Sequence, residues 1–96
     1  MGNLISFMKE VADGLRESGN YGTAHIYRSS MSAILAFHGS DKLPFRKVSQ
    51  EFLKSFESYL RGRNCSWNTV STYMRTLRAV YNRAVDRHLA PYVPHH

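Results

Sequence analysis

Apolar side chains recur along this chain at intervals of three and four residues, in four blocks separated by turn-forming residues. In the first block Leu4, Met8, Val11 and Leu15 mark one side of a helix predicted over residues 4–16, with Asn3 as its N-cap. Ser18, Gly19 and Asn20 then supply stop and turn chemistry. The second block predicts a helix over residues 23–37 with Ala24, Tyr27, Met31, Ile34, Leu35 and His38 on its apolar side. The face left over carries His25, Arg28, Ser29 and Ser32, and Gly39 fits a C-terminal stop. A loop over residues 40–47 is broken by Pro44. The third block opens at Ser49, a capping residue flanked by Val48 and Leu53 in the positions of a hydrophobic staple. Phe52, Leu53, Phe56, Tyr59 and Leu60 form its stripe, and Gly62 and Asn64 end it.

The fourth block is the longest, over residues 67–88, with Ser66 as cap. Val70, Tyr73, Met74, Leu77, Val80, Tyr81, Ala84 and Val85 make a stripe wide enough for a central helix, and Pro91 and Pro94 prevent continuation. Trp67 and the tyrosines at helical spacing are expected in the core. No strand and no internal repeat is predicted. The fold class is therefore all-α: four amphipathic helices joined by short loops, as a bundle or a crossed pair of helical hairpins.

Length sharpens this to one domain, since 96 residues supply one modest core. A hydrophobic share of 43% with five Phe, six Tyr and one Trp argues for a packed interior. The formal charge of +6 is uneven: residues 1–60 carry a net +1, whereas residues 61–96 carry six arginines against Asp86 alone, a net +5. Such asymmetry suits a polyanion-facing surface. No apolar run approaches the ~20 residues of a membrane span, so no membrane partner is expected. The lone Cys65 and the lack of a secretory signal point, as an expectation, to a reducing cytoplasm. His95 and His96 read as a purification-tag remnant, leaving residues 1–94 as the domain. The chain stops soon after its last helical block, as expected of a piece of a longer protein.

Enzyme chemistry finds little support. The seven acids form no obvious spaced pair, and Cys65 has no identifiable histidine partner. His25 and His38 lie on different sides of one helix, and neither has a second ligand at a metal-site interval. The glycines fall at helix ends rather than in a phosphate loop. No catalytic residue, metal or cofactor is expected.

Two segments have the character of nucleic-acid readers, because helix starts and polar helix faces hold phosphates and read base edges. One is the start of the second helix, with Thr23, His25, Arg28, Ser29 and Ser32. The other is the start of the fourth, with Asn68, Thr69, Ser71, Thr72, Arg75 and Thr76, and Arg78 just beyond. Positions 68, 72, 75 and 76 share a face that carries no acid. Asn68 is suited to pair bidentately with an adenine edge, Arg75 with a guanine edge. Ser66 and Thr69 are better explained as caps. Arg83 and Arg87 lie where they complement the helix dipole. The expected DNA-facing set is Thr23, His25, Arg28, Ser29, Asn68, Thr72, Arg75, Thr76 and Arg78.

Three runs resemble a known family. Asn68-Thr69-Val70-Ser71-Thr72-Tyr73-Met74-Arg75-Thr76-Leu77-Arg78, continuing through Tyr81-Asn82-Arg83-Ala84-Val85, resembles the last helix of the core-binding domain of tyrosine recombinases, above all integrases of Bacteroides-type mobile elements. Gly22-Thr23-Ala24-His25-Ile26-Tyr27-Arg28 resembles the start of that domain's second helix, and Phe52-Leu53-Lys54-Ser55-Phe56-Glu57-Ser58-Tyr59-Leu60 its third. The resemblance implies a four-helix, SAM-like orthogonal bundle of the phage integrase family, forming half of a clamp around double-stranded DNA. It implies that the second and fourth helices face the major groove, with Thr23, His25, Ser29, Asn68, Thr72 and Arg75 in DNA-facing slots. It further implies a separate C-terminal catalytic domain, absent here, and partner recombinase protomers assembled on the DNA for integration and recombination. The alternative of another class is a helical protein–protein interaction domain without DNA affinity.

Overall fold

The computed structural model describes residues 3–91. His95 and His96, read above as a tag remnant, lie outside the described residues. Four α-helices account for the architecture: α1 (Leu4–Glu17), α2 (Tyr21–His38), α3 (Gln50–Gly62) and α4 (Trp67–Asp86), with a short 3-10 turn at Phe45–Lys47. No strand occurs among the described residues, and the backbone pairs in β fashion only at an isolated bridge between Asn3 and Pro44. This is the all-α, four-helix arrangement that the hydrophobic pattern predicts.

Each helix begins for a local reason. The Asn3 side chain accepts from the N–H groups of Ile5 (2.9 Å) and Ser6 (3.3 Å), relieving two of the unpaired donors at the start of α1. Ser49 does the same for Phe52 N–H at 3.2 Å, and Ser66 for Thr69 N–H at 3.2 Å. The exception is α2. Its cap residue, Asn20, makes no side-chain bond to the helix and turns instead to the Ser18 hydroxyl. Helix α2 starts at Tyr21, two residues before the predicted Thr23, with Ala24 N–H donating to the Asn20 carbonyl at 2.9 Å. Its C-cap, Gly39, takes φ 81° and donates its N–H to the Leu35 carbonyl. The other three helices close with residues of positive φ a step beyond: Gly19, Asn64 and His88. Helix α4 ends at Asp86 rather than His88 because His88 leaves the helical region, letting Leu89 N–H reach the Ala84 carbonyl at 2.8 Å.

The core draws on every element. Leu4, Met8 and Val11 of α1 meet Ile34 of α2, Phe56 and Leu60 of α3, and Val70, Leu77, Val80 and Tyr81 of α4 in one cluster. The segment predicted as an ordinary loop also belongs to it, since Leu43 and Phe45 are buried, as is the staple residue Val48 that follows. Phe45 meets Phe7 edge-on at 6.0 Å and Tyr81 at 6.2 Å. The same loop is stitched to the start of α1, since Leu4 N–H donates to the Leu43 carbonyl at 2.8 Å and Asn3 Nδ2 to the Asp41 carbonyl. Phe37 at the end of α2 packs on Phe52, Phe56 and Tyr59, fixing α3 against α2. Tyr81 is buried, its hydroxyl donates to the Pro91 carbonyl at 2.8 Å, and burial pushes its pKa above the ordinary phenol value.

Trp67, expected in the core, is 65% exposed. It is the first residue of α4, one turn ahead of the point where the helix is enclosed, and the Arg61 guanidinium lies over its ring at 4.8 Å.

Candidate nucleic-acid interface

The N-terminal halves of α2 and α4 form the two walls of a surface groove. One hollow of about 260 Å³ is lined by His25, Ile26 and Ser29 from α2 and by Asn68, Thr69, Thr72 and Tyr73 from α4. It continues through the shared residues Ser29 and Tyr73 into a second hollow of about 430 Å³, which adds Ser32, Ala33, Leu60, Arg63 and Cys65. Neither hollow has a carboxylate in its lining. The surface offered along this groove is an imidazole, an amide, several hydroxyls and a guanidinium, a set suited to base edges and phosphates.

Helical geometry explains how α4 builds its wall. Arg75 lies about 20° from Asn68 around the helix and Thr72 about 40° on the other side, from ~100° per residue. Asn68 and Arg75 therefore share the outward ridge, and both are exposed. Beyond that ridge lies a third hollow, lined by Glu57, Trp67, Val70, Ser71, Met74, Arg75 and Arg78. Arg75 and Arg78 line this α3-facing flank rather than the α2-facing groove. The flank contains one acid, Glu57, whose carboxylate is paired with Arg61 at 3.1 Å. Arg75 and Arg78 make no ion pair with any described carboxylate, so their charges face solvent. Asp86 falls on the same ridge as Asn68, about 27 Å further along at ~1.5 Å per residue, too far to screen the groove strongly.

The remaining predicted residues divide. Thr23 is exposed in the first turn of α2 but lines neither of these hollows. Arg28 turns towards α1, where its guanidinium pairs with Asp13 at 3.0 Å. Both side chains of that pair are nearly half exposed, so it is a weak, salt-sensitive contact. Thr76 is only 7% exposed, and its hydroxyl donates back to the Thr72 carbonyl at 2.8 Å. Its position, about 80° from Asn68 around the helix, carries it off the ridge into the bundle. It presents no surface to a ligand and drops out of the site.

The groove also holds residues that sequence reasoning passed over. Ile26 and Tyr73 line the first hollow, and Arg63 lines the second. Arg63 sits in the α3–α4 turn, its guanidinium donating to the Tyr59 hydroxyl at 2.8 Å and lying over that ring. A polar second-helix face was the available signal, but an isoleucine inside it reads as core. Arg87 pairs with Glu10 at 3.7 Å and lies over Phe7, a contact that ties α4 to α1. Among the described residues no group of three or more His, Cys, Asp or Glu side chains is placed to hold a metal ion. None of the helices formed by those residues is long and apolar enough to cross a membrane.

Comparison with known proteins returned no match among curated sequences and none among solved structures. A family model described as the phage integrase SAM-like domain matches residues 3–96, nearly the whole chain. The chain, an all-α domain of four helices over its described residues, belongs to the phage integrase SAM-like domain family.

Proposed function

We propose that this domain binds duplex DNA as the core-binding module of a tyrosine recombinase, holding the target while a separate catalytic domain performs strand cleavage and transfer. The observation that supports this most directly is the groove between α2 and α4. His25, Ser29, Asn68 and Thr72 converge there without an acid, and the unpaired Arg75 stands on the adjoining ridge. A surface of amides, hydroxyls and arginines without neutralising carboxylates attracts phosphate and meets base edges. Family membership supports the larger setting, in which this module works beside a catalytic domain and other protomers on the DNA. In this reading the domain itself is not a catalyst, and residues 1–94 constitute the binding module.

Binding is expected to be modest in affinity and steep in salt dependence, because phosphate contacts displace condensed counterions. Fluorescence anisotropy of a labelled duplex titrated with the domain at about 50 mM salt, where that attraction is least screened, tests it. A saturable rise that collapses as salt is raised supports the reading. A flat titration, with the domain folded, overturns it.

A further inference from the structure

Four large apolar side chains are exposed among the described residues: Tyr21, Ile26, Trp67 and Leu89. Trp67 is covered by the Arg61 guanidinium, and Tyr21 and Leu89 lie at helix ends. Ile26 is different. It lies in the second turn of α2, is 39% exposed, and lines the groove opposite the Asn68 amide and the Thr72 hydroxyl. A β-branched residue there does little for the helix, whose propensity favours straight chains. Nor does it fill the core: it belongs neither to the buried cluster nor to the partly buried apolar residues packed against that cluster.

A small apolar contact beside an amide is the complement of one base pair in particular. In the major groove an A·T pair presents the adenine N6 and N7 atoms, which a bidentate amide matches, and next to them the thymine C5-methyl group, which an apolar side chain matches. A G·C pair presents no methyl group. The groove has both halves of this complement on facing walls, Asn68 from α4 and Ile26 from α2. We infer that Ile26 is a specificity-determining residue that packs on a thymine methyl group, so that the groove selects sites with thymine at one fixed position. This deepens the DNA-binding reading and rests on it.

The experiment begins with selection of bound duplexes from a random-sequence pool by the wild-type domain. Each thymine of the recovered site is then replaced singly by deoxyuridine, which removes only the C5-methyl group. At one thymine the replacement is expected to weaken wild-type binding about fourfold, the loss that burial of one methyl-sized group implies. Ile26→Ala is expected to bind the thymine and uracil duplexes equally at that position, with its salt slope unchanged because no phosphate contact has been removed. Circular dichroism and thermal melting confirm that the variant is folded, as a part-exposed side chain allows.

Insensitivity of the wild-type domain to every uracil substitution overturns the inference. So does a uracil penalty that persists in Ile26→Ala. In both cases duplex binding and its salt dependence survive, leaving the broader DNA-binding reading in place. Failure of the wild-type domain to bind any duplex removes both.

Discussion

At the scale of single residues, Arg75 carries the clearest consequence. It is exposed, it makes no ion pair with a described carboxylate, and it shares the outward ridge of α4 with Asn68. A phosphate contact and a base contact leave different signatures. If Arg75 holds a phosphate, Arg75→Ala weakens binding to all sequences and lowers the salt slope by about one. If it reads a guanine, the loss is confined to particular sites and amounts to roughly 1–3 kcal/mol. Anisotropy titrations at several salt concentrations on two unrelated duplexes separate these outcomes, and an unchanged affinity on both removes Arg75 from the site. Arg28 shows why single residues could not all be placed from sequence. Its partner, Asp13, is 15 positions earlier and on another helix, a juxtaposition that only the packing of α1 on α2 creates. Thr76 makes the same point. Its helical position is at the edge of the polar face, and the enclosing bundle decides that it is buried.

At the scale of the elements, most of the structure was written locally. Asn3, Ser49 and Ser66 cap the helices they were expected to cap. The stripes of α3 and α4 are buried at Leu53, Phe56, Leu60, Val70, Met74, Leu77, Val80, Tyr81 and Ala84, whereas Phe52, Tyr59, Tyr73 and Val85 at their margins are only half-buried and Trp67 is exposed. Helix ends were less legible, because they depend on which residue accepts a left-handed conformation. His88 does so at φ 59°, a conformation strained for a residue with a β-carbon and free for glycine. Its side chain is exposed and makes no hydrogen bond, ion pair or ring contact with another described residue. His88→Gly is therefore expected to stabilise the domain by about 0.5–1 kcal/mol, the partial relief of that strain after glycine's larger unfolded-state entropy. A rise of several degrees in melting temperature checks it. A fall would show that the entropy glycine adds to the unfolded chain outweighs the strain it relieves.

At the scale of the whole molecule, the segment between α2 and α3 was the least legible feature and has the largest structural consequence. Val48 is marked by its staple position before Ser49, but Leu43 and Phe45 follow no helical or strand period, so nothing in their spacing announces burial. Yet Phe45 sits between Phe7 of α1 and Tyr81 of α4 and closes the cluster from one side. Phe45→Ala is expected to cost about 3–5 kcal/mol, a large share of the ~5–15 kcal/mol that holds such a domain folded. Urea denaturation measures it, and a loss below ~1 kcal/mol would show that the neighbours close over the gap. The groove between α2 and α4 was half legible: its polar residues were visible as two faces, while Ile26, Tyr73 and Arg63 became part of it only once the helices crossed. Tyr81 has a further effect, on the segment that follows α4. Its phenol fastens the backbone at Pro91, ten positions on, to the middle of the core. Only the protonated ring can make that bond, and the folded state holds the proton more tightly than an unfolded chain does. The fastening is therefore intact throughout neutral and mildly alkaline solution, and it weakens only as pH climbs past the ordinary phenol value near 10 and then through the raised one. A single phenol proton thus moors the last described residue of the chain to the centre of the domain.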